Sequence, residues 1–443
     1  MNIGFISLGC SKNRVDTEIM MAKIKESGHN IVNSLDKAEI AVINTCGFIN
    51  DAKEESINTI IETGKVKAGG VLKHIIATGC LTQRYGKELF DELPELDAVV
   101  GISYINEIDN VLKKVIGENR CLLVGPPPTS FVEKGPRVLT TPAGSAYLKI
   151  TEGCNNRCSY CAIPLIRGSL RSRPIEEIVF EAGELVQQGV KELVLIGQDT
   201  AAYGRDLYSD YKLAELLERV SDIEGLEWIR LMYLHPVNIN DNTINAIFNL
   251  EKVIPYLDIP VQHASSYILK KMNRKHDLNH LHKLLDKLRK GIDGLVLRTT
   301  VMVGFPGETE EEFQMLYDFV KETEFDWLGV FAFTPEENTP AESMDNQVPE
   351  SIKQDRCDSI LKLQSKITRK KNVGRINQEQ KVLISSRVSK NLYLGRGYYQ
   401  APEVDGITMV KTDSKLVKGE LVNVQLKAVR NYDMIGELKN EYT

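Results

Sequence analysis

Cys154, Cys158 and Cys161 stand as CxxxCxxC in the run TEGCNNRCSYCAIP, directly after the apolar stretch AYLKI. Thiolates are soft ligands that suit iron–sulfur clusters or zinc. A structural zinc site takes four protein ligands, and neither a fourth cysteine nor a histidine pair lies near this run. Three thiolates fit a four-iron cluster that keeps one iron for a small molecule, while a structural zinc knot is the competing reading. S-adenosylmethionine can chelate such an iron, and an electron then cleaves its C–S bond to a carbon radical; in that case the cofactor carries the radical chemistry and the protein supplies position and dryness.

A second trio, Cys10, Cys46 and Cys80, is spaced by 36 and 34 residues, and each cysteine ends an apolar run: SLGC, INTC and ATGC. In a doubly wound sheet the carboxyl ends of neighbouring strands share one edge, so one cysteine per strand end can converge on one site. Gly9, Gly47 and Gly79 stand beside the three thiols and permit close turns. The alternative is three buried apolar thiols, a common fate for cysteine. Cys121 and Cys357 lack this context and read as structural. His235 and His263 flank apolar runs, and for them the expected role is a hydrogen-bonded site residue.

The elements that must position these residues fall into three regions. Residues 1–124 alternate apolar runs with helical patterns, the βαβ rhythm of a parallel α/β sheet. Residues 125–145 hold five of the sixteen prolines and read as a linker. Residues 146–372 repeat strand then helix six times, through AYLKITEGC, ELVLIGQDT, WIRLMYLHP, YLDIPVQHA, VLRTTVMVGFPGE and WLGVFAFTPEE. Six units predict a partial (β/α)6 barrel, with the CxxxCxxC run at the carboxyl end of its first strand, where ligands of such folds collect. Residues 373–443 carry short alternating strands, QKVLISSRV, YYQAPEV, GITMVKT and ELVNVQLKAV, and predict a small antiparallel β-barrel.

Composition excludes several classes. Hydrophobic residues at 42% and charged residues at 26% are those of a globular chain of about three domains. No stretch approaches the roughly 18 apolar residues of a membrane span, and the first residues lack a basic leader, so no membrane partner and a cytoplasmic location are expected. Eight cysteines there point to metal or redox chemistry rather than disulfides. Net charge is −6, although residues 373–443 carry eleven Lys/Arg against eight Asp/Glu, a local +3. That balance favours a basic protein target over bare RNA.

The CxxxCxxC run with Tyr160 before its last cysteine resembles the signature of the radical S-adenosylmethionine superfamily. The resemblance implies cofactor-binding candidates at Tyr160, at Gln198 in IGQDT, at Arg230 in WIRLMY and at Arg298 in LRTTVMVGFPGE; a structural hydrogen bond is the alternative for each. With the first trio and a terminal β-barrel resembling a TRAM domain, the whole chain is similar to the methylthiotransferases. That implies two 4Fe-4S clusters, with S-adenosylmethionine as both methyl donor and radical source, and an electron donor such as flavodoxin or ferredoxin. It also implies insertion of CH3–S at an unactivated C–H, which needs no catalytic carboxylate–histidine pair.

LGCSKNRVDTE, NTCGFINDAKEES, GCLTQRYGKEL, RGSLRSR and QAPEVDG resemble the branch that modifies the β-carbon of an aspartate of ribosomal protein S-twelve, free or in the small subunit. The branch acting on tRNA adenosine is expected to carry a GCQMN-like stretch where this chain has GCSKN. YLHP at 233–236 departs from the expected second aromatic, which leaves the role of His235 open. A tRNA-adenosine methylthiotransferase remains the rival within the family, and a non-enzymatic iron–sulfur protein the rival outside it.

Overall fold

The computed structural model describes residues 1–117 and 120–439. Its first unit is a six-stranded, wholly parallel sheet ordered Asn30–Val32, Asn2–Ser7, Ile40–Thr45, His74–Gly79, Ala98–Val100 and Cys121–Leu123. Helices cover both faces, so its central strands carry continuous apolar runs rather than alternation. Every residue of Ile40–Thr45 is buried.

The second unit is a six-stranded parallel sheet in sequence order: Ser145–Lys149, Glu192–Ile196, Trp228–Leu231, Val253–Asp258, Val296–Val303 and Trp327–Ala332. It does not close on itself, as the six strand–helix units foretold. Its outer face packs on its own helices, with Leu148, Leu195, Ile229 and Leu257 among the buried residues. Its inner face presents Tyr147, Val194, Trp228, Met232, Tyr256 and Trp327, and these join one apolar cluster with residues of both other units. Val15 and Ile19 come from the helix Ser11–Glu26, and Tyr393 and Tyr399 from the C-terminal unit. An open half-barrel leaves an apolar face wet, and here the flanking units keep it dry.

The third unit is a closed five-stranded barrel of Glu379–Ser389, Leu392–Gly397, Thr408–Lys411, Asp433–Leu438 and Leu421–Arg430. Its pairings are antiparallel except for Thr408–Lys411 with Asp433–Leu438, which run parallel. One correction to the sequence reading arises here. YYQAPEV is a turn rather than a strand, and the preceding LYLGRG supplies the strand. Before the barrel, the helix Glu350–Gly374 runs past the boundary at 373. Residues 440–443 of the expected third region lie outside the described residues. The proline-dense stretch forms neither helix nor strand between Leu123 and Ser145, but it is a fastened strap rather than a loose tether. Its Arg137 is buried, pairs with Glu18 of the first unit, and reaches Glu181 of the second at 2.9 Å.

Glu192 anchors the C-terminal barrel to the half-barrel. Its carboxylate accepts from Arg230 Nε at 2.8 Å, Arg396 Nη2 at 2.5 Å and Ser145 Oγ at 2.8 Å. Burial works against the charge, but Arg396 and Arg230 outweigh it and hold the carboxyl at about 2. A carboxyl held below its unfolded value stabilises the fold fully above that value, and the contribution fades as pH falls through about 2. Glu192→Gln is expected to cost about 3–5 kcal/mol in urea unfolding at neutral pH, because two buried guanidinium groups lose their counter-charge. The gap between variant and parent should hold from pH 7 to 5 and narrow only in acid.

Candidate functional site: two cysteine trios joined by one arginine

Cys10, Cys46 and Cys80 lie at the carboxyl ends of three neighbouring strands, Asn2–Ser7, Ile40–Thr45 and His74–Gly79. Two of them meet the start of a helix: Cys10 caps Ser11–Glu26 and Cys80 opens Cys80–Glu92. The turns are tight enough that a side chain on Gly9, where φ is +82°, would place its Cβ 2.8 Å from Cys46 Sγ. Burial pushes the Cys46 thiol up to about 12, with Cys80 and then Cys10 adding to the rise, and burial pushes the Cys80 thiol up as well. Thiols that resist ionisation for want of water and because of one another are those a cationic metal group would ionise.

Cys154, Cys158 and Cys161 occupy the loop after the first half-barrel strand. Burial pushes Cys154 up to about 12 and raises Cys161 further, and each thiol also feels the charge of Cys158. Asn156 Nδ2 lies 3.4 Å from Cys154 Sγ and Arg274 Nη1 lies 3.7 Å from Cys158 Sγ. Among the described residues, no three His, Cys, Asp or Glu side chains converge tightly enough to share a single metal ion. A four-iron cube puts each thiolate on its own iron and needs no such convergence.

Arg167 links the trios. It is fully buried, and its Nε and Nη2 each lie 3.3 Å from Cys80 Sγ. Nη1 reaches Asp16 at 2.8 Å and Glu152 at 3.1 Å, and Nη2 reaches Asn13 Oδ1 at 2.7 Å. The next residue, Gly168, accepts the N–H of Cys154 at 3.2 Å. Two consecutive residues therefore touch a thiol of one trio and the backbone of the other. Lys149 completes the knot by pairing with Asp16 and, at 2.7 Å, with Glu152. Burial alone would raise the Glu152 carboxyl, but Arg167 and Lys149 hold it far below the usual range.

Beside Cys154 opens a cavity of about 360 Å³, lined among others by Asn156, Asp199, Arg205, His235 and Asn238. Asp199 accepts from Asn156 at 2.7 Å and from Asn238 at 2.6 Å, yet burial still raises its carboxyl. The His235 ring is buried and accepts from Val237 N–H at 3.4 Å; burial first, then Arg274, holds its pKa well below the ordinary value, so it is neutral. His263 accepts from Ser265 N–H at 2.9 Å. Gln198 donates to Glu152, and its Oε1 is buried without a partner. That orphaned oxygen, the raised thiols and the cavity fit a polar ligand held next to a cluster.

Of the four implied cofactor contacts, Tyr160 packs edge-on to Phe305 with ring centroids 6.5 Å apart, and burial, then Cys158, raises its phenol. Arg230 and Arg298 have protein partners in the structure. Arg230 bonds Glu192 and, at 2.7 Å, the Tyr398 carbonyl, with its guanidinium over the Tyr256 ring. Arg298 pairs with Asp258 at 2.9 Å and Asp405 at 3.5 Å. Both tie the C-terminal barrel to the half-barrel. The sequence reading passed over Arg167, Arg274, Asp199 and Asn156, although Arg167 opens RGSLRSR, a stretch already singled out. Cys357 is a buried core residue of the helix Glu350–Gly374.

Three family models match in chain order: Uncharacterized protein family UPF0004 over residues 2–101, the Radical SAM superfamily over 148–320, and a TRAM domain over 376–438. A relative from Syntrophomonas wolfei, named ribosomal protein uS12 methylthiotransferase RimO, is 60% identical over 437 residues, covering 99% of this chain and 100% of that one. The chain belongs to the RimO family of radical S-adenosylmethionine methylthiotransferases. A RimO from Clostridioides difficile is 44% identical over 441 residues, covering 100% of this chain and 99% of its own. Among solved structures, the radical S-adenosylmethionine methyltransferase TsrM of Kitasatospora setae shares the fold at a TM-score of 0.57 with 13% identity, over 77% of this chain and 75% of its own. A RimO-family enzyme works with S-adenosylmethionine and iron–sulfur clusters.

If each trio serves its own cluster, replacing Cys154, Cys158 and Cys161 by alanine is expected to leave about half the iron and abolish S-adenosylmethionine cleavage. Replacing Cys10, Cys46 and Cys80 should also halve the iron but spare cleavage and stop sulfur transfer. Iron assay and chromatography of 5′-deoxyadenosine check both.

Proposed function

We propose that this enzyme inserts a methylthio group at the β-carbon of an aspartate of ribosomal protein S-twelve. We assign Cys154, Cys158 and Cys161 to the cluster that receives S-adenosylmethionine, and Cys10, Cys46 and Cys80 to the cluster that handles sulfur. The observation that carries the substrate is the full-length 60% identity to a relative named for that reaction. When bound, the first cluster supplies the electron that turns S-adenosylmethionine into a carbon radical, able to take hydrogen from an unactivated C–H.

The chain's own residues prepare that event. Asn156 and Asn238 fix the Asp199 carboxylate at the wall of the cavity beside Cys154, and Gln198 offers a free carbonyl oxygen. The inner face of the half-barrel is sealed by the other two units, which excludes the water that would quench a radical. Arg167 touches the Cys80 thiol and Gly168 the Cys154 backbone, and in this reading the two trios thereby serve hydrogen removal and sulfur delivery in one chamber. None of the described helices is long and apolar enough to cross a membrane. A small electron-transfer protein such as flavodoxin or ferredoxin supplies the reductant in this reading, and the protein works in the cytoplasm beside its ribosomal target.

Anaerobic reconstitution followed by incubation with S-twelve, S-adenosylmethionine and dithionite is expected to add about 46 Da to one aspartate, as CH3–S replaces hydrogen. Mass spectrometry of the digested protein reads the result. Cleavage to 5′-deoxyadenosine with no gain on S-twelve would contradict the substrate and turn the search to tRNA.

A further inference from the structure

Lys12 lies two residues after Cys10 in the first turn of the helix Ser11–Glu26. Its side chain is nine-tenths buried, with 8% exposure, yet no carboxylate among the described residues lies within ion-pair distance of its ammonium. Instead Nζ stands 3.2 Å above the centre of the Tyr233 ring. Cation–π contact offsets only part of the cost of burying an ammonium, and an unpaired buried charge is otherwise avoided. Glu403 of the C-terminal barrel is engaged by Arg14 and by the Tyr147 hydroxyl at 3.1 Å.

Two independent features beside Lys12 also ask for an anion. Ser11 Oγ is buried with no hydrogen-bond partner. The first turn of the helix has no acidic residue and no side-chain cap, so its amide groups keep their partial positive charge. Tyr233, the platform under the ammonium, adopts φ of +62°, a costly left-handed conformation for an aromatic residue, directly past the strand Trp228–Leu231. Its N–H is fixed on Asp258 at 3.1 Å. The half-barrel thus holds its tyrosine against a lysine of the first unit, beside a cysteine of the sulfur-handling trio.

We propose that Lys12 and Ser11 form a carboxylate subsite that seats the side chain of the target aspartate. The inference rests on the S-twelve reading and deepens it. In aspartate the carboxylate is bonded to the β-carbon, so clamping it beside Cys10 sets the reacting carbon within reach of the trio that delivers sulfur. The subsite is a positioning and specificity device: it rewards a negative charge and leaves asparagine or an uncharged base with an unpaired ammonium to face. S-adenosylmethionine carries a carboxylate too, and the experiment separates the two sources.

The test uses the reconstituted holoenzyme and fluorescence anisotropy with labelled S-twelve, either natural or with asparagine at the target aspartate. The parent enzyme is expected to prefer the aspartate form by roughly 10- to 100-fold, the range of a hydrogen-bonded charge pair. Lys12→Met should erase that preference by weakening the aspartate form alone, and Lys12→Arg should restore most of it. An undiminished preference in Lys12→Met overturns the assignment and leaves the S-twelve reading standing. Equal weakening of both forms shows a merely structural lysine and also overturns it. A matching loss of S-adenosylmethionine affinity gives the subsite to the cofactor and overturns it again. If the parent binds neither form, the S-twelve reading falls and takes this inference with it.

Discussion

The structure depends on one knot of buried charge. Asp16, Glu152, Lys149 and Arg167 are all removed from solvent and answer one another across the seam between the first unit and the half-barrel. Each charge alone would be costly in such a place, and each is tolerable only while its partners stay in register. A hydrophobic seam of the same area would tolerate sliding. This one does not, because Arg167 must reach Asp16, Glu152, Asn13 and Cys80 at the same time. The two cysteine trios belong to separately folded units, and the knot fixes their relation.

The same device recurs where the C-terminal barrel meets the half-barrel. Glu192 with Arg230 and Arg396, and Asp405 with Tyr256 and Arg298, replace the strands that would have closed a complete barrel. Trp327 Nε1 adds a bond to the Tyr399 carbonyl at 2.6 Å. The inner face of the open six-stranded sheet is covered by neighbours held through directional polar contacts.

How much of this was legible in the sequence follows from the range of the forces involved. The placement of the six cysteines was legible because strand ends and close spacing are local facts, and parallel strands announce themselves as apolar runs. For Arg230 and Arg298 less was legible, because a polar residue inside an apolar strand says only that a partner exists. Whether the partner is a cofactor or a carboxylate from another domain is decided by residues more than 100 positions away, such as Arg396 and Asp405, around Glu192 and Asp258. YYQAPEV imitated a strand for a similar reason: Tyr399 and Gln400 are wholly buried, but by packing of a turn against the half-barrel, with Gln400 held on Thr408 at 2.7 Å. Arg167 stood in plain view, yet its partners lie 15 to 154 positions away in sequence.

The central claim is that the two trios face one chamber, fixed there by Arg167 and Gly168. The most direct measurement is electron paramagnetic resonance of the fully reconstituted, dithionite-reduced enzyme beside its two triple-cysteine variants. Two paramagnetic centres in one chamber broaden and split each other's signals, so the parent spectrum should differ from the sum of the variant spectra and relax faster than either. A parent spectrum equal to that sum would mean that the centres are magnetically isolated, and would contradict the account.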